Sequence, residues 1–535
     1  MFRIFVHKPH TFMKKLLSLA ALALLLAACK TETPSPILTI EGGQVQGVAT
    51  DIAGVTAYKG IPYAAPPIGD LRWKAPQPVV PWDGVKVADR FGHPGFQAVH
   101  YPGGYTLEWG YGEESPFSED CLYLNVWTTA PGKTDAKLPV AYWIHGGGYR
   151  EGWGSEPEFD GEEFAAHGVV LVSINYRLGV FGFLAHPDLA AESPNGVSGN
   201  YGVLDMIQGL KWVKENIAQF GGDPDNVMIF GQSAGGGAVR TLVESPLARG
   251  LFNKAVIMSA GGMGGMGGGR RPAAAPAAPA NARPATARPP MNFGPLTLED
   301  IQNNNKKILD WAGLTDLKKM RAAGTETIYA LSTIYAGANG FPSGNGMFGG
   351  GPALTGAPIV DGYVSLKSFD EAAMDGSLAD VPYMMGFTKD DMGNMTDGIA
   401  AFALNREEKG NKCYAYQFAR PLPDDGSQKE YVLTGAFHSS DLWYVFKSLK
   451  HCWRPWTKGD WDLAEKEVTY WANFCKYGDP NGKDGGDWTP YTKENPKFMI
   501  FKLNEADEEA SEMGEPVLGE RFNWPPQPPK KEDAE

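Results

Sequence analysis

Cysteine is scarce in this chain, with five in 535 residues. No C-x-x-C pair and no H-E-x-x-H occurs, so the usual signatures of a structural or catalytic zinc site are missing. Positive charge is also short. Lys and Arg number 48 against 62 Asp and Glu, a formal net charge of -14 at pH 7. Nucleic-acid binding needs a basic surface, so that partner class is excluded, as is simple electrostatic attachment to anionic lipid. Long apolar runs are few, and the one from Leu16 to Ala28 is too short to span a bilayer. What remains, 43% hydrophobic and 21% charged residues, describes a packed globular chain of two or three domains or one large α/β domain.

The N-terminus reads as an address. Lys14 and Lys15 precede the apolar run, which ends in Leu26-Ala27-Ala28-Cys29. That pattern resembles a bacterial lipobox, implying a signal peptide over 1–29, cleavage before Cys29 and lipid on its thiol. The chain is then an exported periplasmic or cell-surface lipoprotein; an ordinary signal peptide with a chance cysteine is the alternative. Residues 30–36 read as a tether. Export permits disulfides, and Cys121, Cys413, Cys452 and Cys475 allow three full pairings. A Cys413–Cys452 bridge is expected, with Cys475 a buried thiol on an amphipathic helix over 464–477.

Residues 37–515 read as one domain. Short strands near Gly43–Gly47 and Ala57–Tyr63 come first, and then strands alternate with helices. Leu138 to Ile144 and Val169 to Ile174 are apolar nearly throughout, as suits parallel strands covered on both faces. Val203 to Ile217 has helical periodicity, and strands over 227–230 and 254–258 come after it. The order predicts a doubly wound α/β domain. Glycine, alanine and proline runs over 261–295 have no periodicity and read as a loose insertion, with a second glycine-rich stretch at 341–352 and a polar tail from 516 to 535.

Two stretches carry chemistry. In Val227-Met228-Ile229-Phe230-Gly231-Gln232-Ser233-Ala234-Gly235 an apolar strand runs into glycine, serine and a helix start. This is the G-x-S-x-G context of a nucleophile elbow, where a serine in a strained conformation needs nearly side-chain-free neighbours two before and two after. With 67 glycines in the chain, the pattern alone also fits an ordinary tight turn. The second stretch, His145-Gly146-Gly147-Gly148, comes directly after the strand over 138–144 and matches the oxyanion loop of lipases and esterases. Backbone amides of Gly147, Gly148 and Ala234 are the expected oxyanion donors.

Ser118-Glu119-Asp120-Cys121-Leu122-Tyr123-Leu124-Asn125-Val126, Asn175-Tyr176-Arg177-Leu178-Gly179 and Phe220-Gly221-Gly222-Asp223-Pro224 are similar, with the elbow, to motifs of the type-B carboxylesterase family, relatives of cholinesterases and bacterial para-nitrobenzyl esterases. The resemblance runs from about Gly43 to Pro480, excluding the 261–295 insertion. It implies an α/β-hydrolase fold, a mostly parallel sheet with helices on both faces and a small N-terminal antiparallel extension. Chain order in that superfamily is serine, acid, histidine. His438 and His451 lie far enough downstream, and Gly435-Ala436-Phe437-His438 resembles the family's histidine motif, which makes His438 the expected base and His451 structural. Pro382 to Asp391 matches the strand and loop that carry the acid. The resemblance places it at Asp391, one methylene shorter than the usual glutamate, with Asp390 the alternative.

The resemblance implies a serine carboxylesterase that needs no cofactor and no metal, acting on a small-molecule or polymer-attached ester, with a monomer favoured. A non-catalytic adhesion module of the same fold and a serine amidase or thioesterase are the competing readings. Gln232 stands where cholinesterases carry glutamate, which argues against a choline-type cation. Cys121 lacks the upstream partner of its relatives and is expected to be a free thiol in a looser region. The aromatics of that region, Tyr101, Tyr105 and Trp109, either line a cleft or pack.

Overall fold

A computed structural model describes residues 35–98, 104–109, 116–264, 297–339, 353–428 and 431–519. The lipobox, Tyr101, the 341–352 stretch, most of the 261–295 insertion and the tail beyond 519 lie outside the described residues. The chain divides into two units, Met1–Ser35 and Pro36–Glu535, and the second holds the sheet and its helices.

Among the described residues, eleven strands form one sheet. Its centre is parallel, with Leu138–Ile144 between Val170–Ile174 and Gly222–Gln232, followed by Lys254–Met258, Tyr383–Thr388, Cys413–Phe418 and Phe498–Phe501. Antiparallel strands close both edges, Tyr123–Thr128, Thr56–Pro62 and Val48–Ala49 on one side and Glu512–Gly514 on the other. A separate three-stranded ribbon joins Ile37–Ile40, Gly43–Gln46 and Val85–Val87.

Strand pleating explains the continuous apolar runs. Val140, Tyr142 and Ile144 point into one buried cluster, and Ala141 and Trp143 into another on the opposite face. Helices Tyr201–Asn216 and Ala234–Glu244 cover the first cluster, and helix Lys458–Tyr477 covers the second. The strand leading to Ser233 is longer than its apolar half. It begins at Gly222, which pairs with Leu138, and Asp223 to Asn226 occupy the register shift before Val227 pairs with Val140, so they carry no hydrophobic signature.

The expected Cys413–Cys452 bridge is not formed, and all four described cysteines are free thiols. Cys413 belongs to the cluster on one face of the sheet and Cys452 packs against the cluster on the other, so the sheet separates them. Cys121 and Cys475 are buried. The start of the tail is bound rather than solvated: Gln417 and Val517 exchange two hydrogen bonds of 2.9 Å, and the Gly519 amide donates to the Lys389 carbonyl at 3.2 Å.

Candidate active site

Ser233 lies between the strand end and the helix Ala234–Glu244 with φ 56° and ψ −121°. A non-glycine residue pays for such a conformation, on the order of 1–3 kcal/mol, and surrounding structure must hold it there. The hold is visible. A Cβ on Gly235 would lie 2.0 Å from the Ile144 carbonyl oxygen, and one on Gly231 would lie 2.5 Å from the Gly235 backbone. The Ser233 amide donates to the Met258 carbonyl at 2.9 Å, and its carbonyl accepts from Gly237 at 2.9 Å. Both glycines are therefore steric requirements of the turn.

The glycine loop packs against this turn. A Cβ on Gly146 would stand 3.2 Å from the Ser233 Cβ, and Gly147 and Gly148 adopt left-handed φ values of 88° and 62°. Among the described residues, the amides of Gly147, Gly148 and Ala234 donate no hydrogen bond, so all three remain open to an acceptor. The loop is tied down behind. His145 stacks on Tyr176 with centroids 4.4 Å apart, and the Tyr176 hydroxyl donates to the His145 carbonyl at 3.0 Å. Burial pushes the His145 imidazole down to about 3, so it is neutral in its wall position.

His438 and Asp391 meet across 47 residues of chain, with Nδ1 to Oδ1 at 2.6 Å and both side chains buried. Asp391 also accepts from the Met392 amide at 2.7 Å, the Ser259 hydroxyl at 2.7 Å, and the amide and hydroxyl of Thr388 at 3.2 and 3.1 Å. Burial alone would raise its carboxyl, but the imidazole and these donors outweigh it and hold the group below the ordinary range. Asp390 points elsewhere: its Oδ2 accepts from the Ala436 amide at 2.8 Å, and its side chain abuts Gly435 and Gly519. His438 Nε2 sits 3.3 Å from Gln232 Nε2, which brings the ring beside the elbow. No hydrogen bond joins it directly to the Ser233 hydroxyl, a contact that is often loose before substrate binds.

The aromatic segment packs instead of lining open space. Tyr105, on the short helix Tyr105–Trp109, donates its hydroxyl to the His438 carbonyl at 2.6 Å and stacks on Trp109 at 4.5 Å. That helix is anchored by a fully buried ion pair of Glu108 and Arg454, with Nε to Oε2 at 2.9 Å. His451, expected to be structural, and two arginine–carboxylate pairs that include motif residues are likewise held within the fold. His451 faces Asp160 at 3.6 Å, Glu119 is clamped by Arg72 at 2.5 and 2.7 Å, and Arg177 grips Asp205 at 2.6 and 2.8 Å.

Three residues near the pair escaped the sequence reading. Ser259, left-handed at φ 49°, and Asp441, three residues past the histidine, are both fully buried. Burial and the nearby Asp391 raise the Asp441 carboxyl to about 7, against the pull of His438. Glu467 is the third, buried with neither oxygen hydrogen-bonded and with its carboxyl well above the ordinary range through desolvation and Asp441. A signal for Glu467 existed. It interrupts the apolar stripe Leu463, Ala464, Val468, Trp471 of its helix.

Sheet, elbow and histidine–aspartate pair together define an α/β-hydrolase fold, and solved structures agree. The Geobacillus stearothermophilus carboxylesterase superposes with a TM-score of 0.67 at 28% identity, covering 89% of this chain and 97% of that one. A thermophilic PNB esterase gives 0.68 at 27% over the same shares. The chain belongs to the carboxylesterase family, whose model matches residues 34–282 and 394–515. Asp390 and Asp391 lie just outside the matched residues. Among curated relatives, the fumonisin B1 esterase of Sphingopyxis macrogoltabida is 47% identical over 235 residues, 44% of this chain and 41% of that protein. The para-nitrobenzyl esterase of Bacillus subtilis is 46% identical over 224 residues, 42% of this chain and 43% of its own length. The matched stretch thus spans about two fifths of these relatives.

Proposed function

We propose that the protein hydrolyses carboxylic esters through an acyl-enzyme on Ser233. The observation that carries this reading is the strained Ser233 turn packed against a loop of open amides, with the His438–Asp391 pair beside it. In this mechanism Nδ1–H is held by Asp391, which leaves the Nε2 lone pair to take the serine proton. Approach of the hydroxyl replaces the resting contact with Gln232. The alkoxide formed on attack is met by the amides of Gly147, Gly148 and Ala234, where loss of one donor typically costs ~10²–10³ in rate. His438 then protonates the leaving alkoxide, which departs as the alcohol, and water repeats the sequence to release the acid.

Labelling with a fluorophosphonate tests the reading. An adduct is expected on Ser233, with none in Ser233→Ala. Failure of the wild type to react would leave the non-catalytic module of the same fold standing. Asp391→Asn removes the acceptor that fixes the tautomer and is expected to lower kcat by ~10³–10⁴. Rates on matched ester, thioester and amide substrates separate an esterase from the amidase and thioesterase readings.

We also propose that the protein is exported and lipid-anchored at Cys29, on the strength of Lys14, Lys15, the apolar run and the Leu-Ala-Ala-Cys end. Metabolic labelling with a fatty-acid probe should mark the wild type and not Cys29→Ala. Equal labelling of both removes the anchor.

A further inference from the structure

A cavity of about 270 Å³ opens along the flank of the helix Ala234–Glu244, away from the His438–Asp391 pair. That is near the lower end of small-ligand pockets. Its wall includes Tyr149, the residue after the oxyanion loop, whose hydroxyl would lie 2.6 Å from a Cβ on Gly237. Glu244 closes the far end. It is 5% exposed, and its Oε1 accepts from the Leu366 and Lys367 amides at 2.6 and 2.9 Å. Its Oε2 is buried with no hydrogen-bond partner, and the Ser365 hydroxyl beside the cavity donates to the Lys367 carbonyl at 3.4 Å. Burial pushes the Glu244 carboxyl up against the pull of the two amides and the neighbouring Ser365 hydroxyl, and a buried carboxyl oxygen without a direct partner costs stability until a donor arrives. The Tyr149 hydroxyl likewise makes no hydrogen bond among the described residues.

The charges around the cavity decide what kind of donor fits. Arg240 lies over the Phe369 ring at 4.5 Å and pairs with Asp370 at 3.3 Å, and Lys367 pairs with Asp375 at 2.6 Å. Both cations line the cavity and disfavour an incoming ammonium. An anion would face the unpartnered Glu244 oxygen. A neutral hydroxyl meets neither penalty, and the Phe369 and Ile359 side chains offer it an apolar bed.

We propose that this cavity binds a neutral polyhydroxylated ligand of monosaccharide size, one hydroxyl donating to Glu244 Oε2 and another paired with the Tyr149 phenol. It is a ligand site distinct from Ser233 and independent of the reaction assigned to that residue.

Saturation-transfer NMR on the full-length wild-type protein, with methyl α-D-glucopyranoside and methyl β-D-xylopyranoside as probes, tests the site. Transfer to ring protons of at least one glycoside is expected. Affinity should fall about tenfold in Glu244→Gln, which keeps an acceptor for the two amides but removes the charge. Val360→Trp, at a 49% exposed position on the rim, should abolish transfer by filling the mouth while melting like the wild type. No transfer from either glycoside overturns the proposal, as does unchanged affinity in Val360→Trp. Binding of tetramethylammonium or acetate in place of the glycosides overturns the neutral-ligand assignment.

Discussion

Asp441 offers a measurement of what its buried surroundings do to a carboxyl group. Its side chain is fully buried, Oδ1 has no partner, and Oδ2 accepts from the Tyr416 hydroxyl at 3.3 Å. Burial and Asp391 lift the carboxyl from 3.8 to about 7. Between those values the folded chain holds a proton that the unfolded chain has released. Stability attributable to this group therefore falls as pH rises from about 4 to about 7 and stays lost above that. At ~1.4 kcal/mol per tenfold change, the loss is at most about 4 kcal/mol. Asparagine keeps an acceptor for Tyr416 but cannot ionise. Asp441→Asn should match the wild type in urea unfolding near about pH 4 and exceed it increasingly up to about pH 8. A midpoint difference that is the same at both ends, or a variant weaker at the alkaline end, refutes the account.

Three other perturbations probe the same packing. Gly235→Ala places a Cβ 2.0 Å from the Ile144 carbonyl and should distort the elbow, lowering both the melting temperature and kcat/KM by at least about a hundredfold for the latter; wild-type values for both would contradict it. Arg454→Met leaves Glu108 buried and unpaired, so unfolding free energy should drop by about 3–5 kcal/mol. Activity should fall with it, because the Glu108 helix carries the Tyr105 hydroxyl bonded to His438. Reductant should leave the melting temperature unchanged, and thiol titration of the denatured protein should count Cys121, Cys413, Cys452 and Cys475 all as free.

How much of this was legible in the sequence varied with the distance over which each feature is decided. The elbow was readable because its constraint is local: Gly231 and Gly235 stand two residues either side of Ser233, and contact sterics act across that span. The parallel core was readable because strands buried on both faces must be apolar at every position. Helix Tyr201–Asn216 showed its period for the complementary reason, having one face against the sheet.

Other features are set between segments that do not know of each other in sequence. Asp390 and Asp391 are equivalent as neighbours, yet only the second reaches the ring, because the strand end turns the first toward the Ala436 amide. The two cysteines expected to pair are close to the histidine segment in order but lie on opposite faces of the sheet. Asp441 and Glu467 acquire their high carboxyl values only from what surrounds them, as does the unpartnered Glu244 oxygen. The chain alone thus determined which short segments must turn, extend or coil, since those choices rest on sterics and periodicity within a few residues. Which side chains face one another, and which charges lose their water, was decided by tertiary packing, because desolvation and long-range contact exist only once the sheet has assembled.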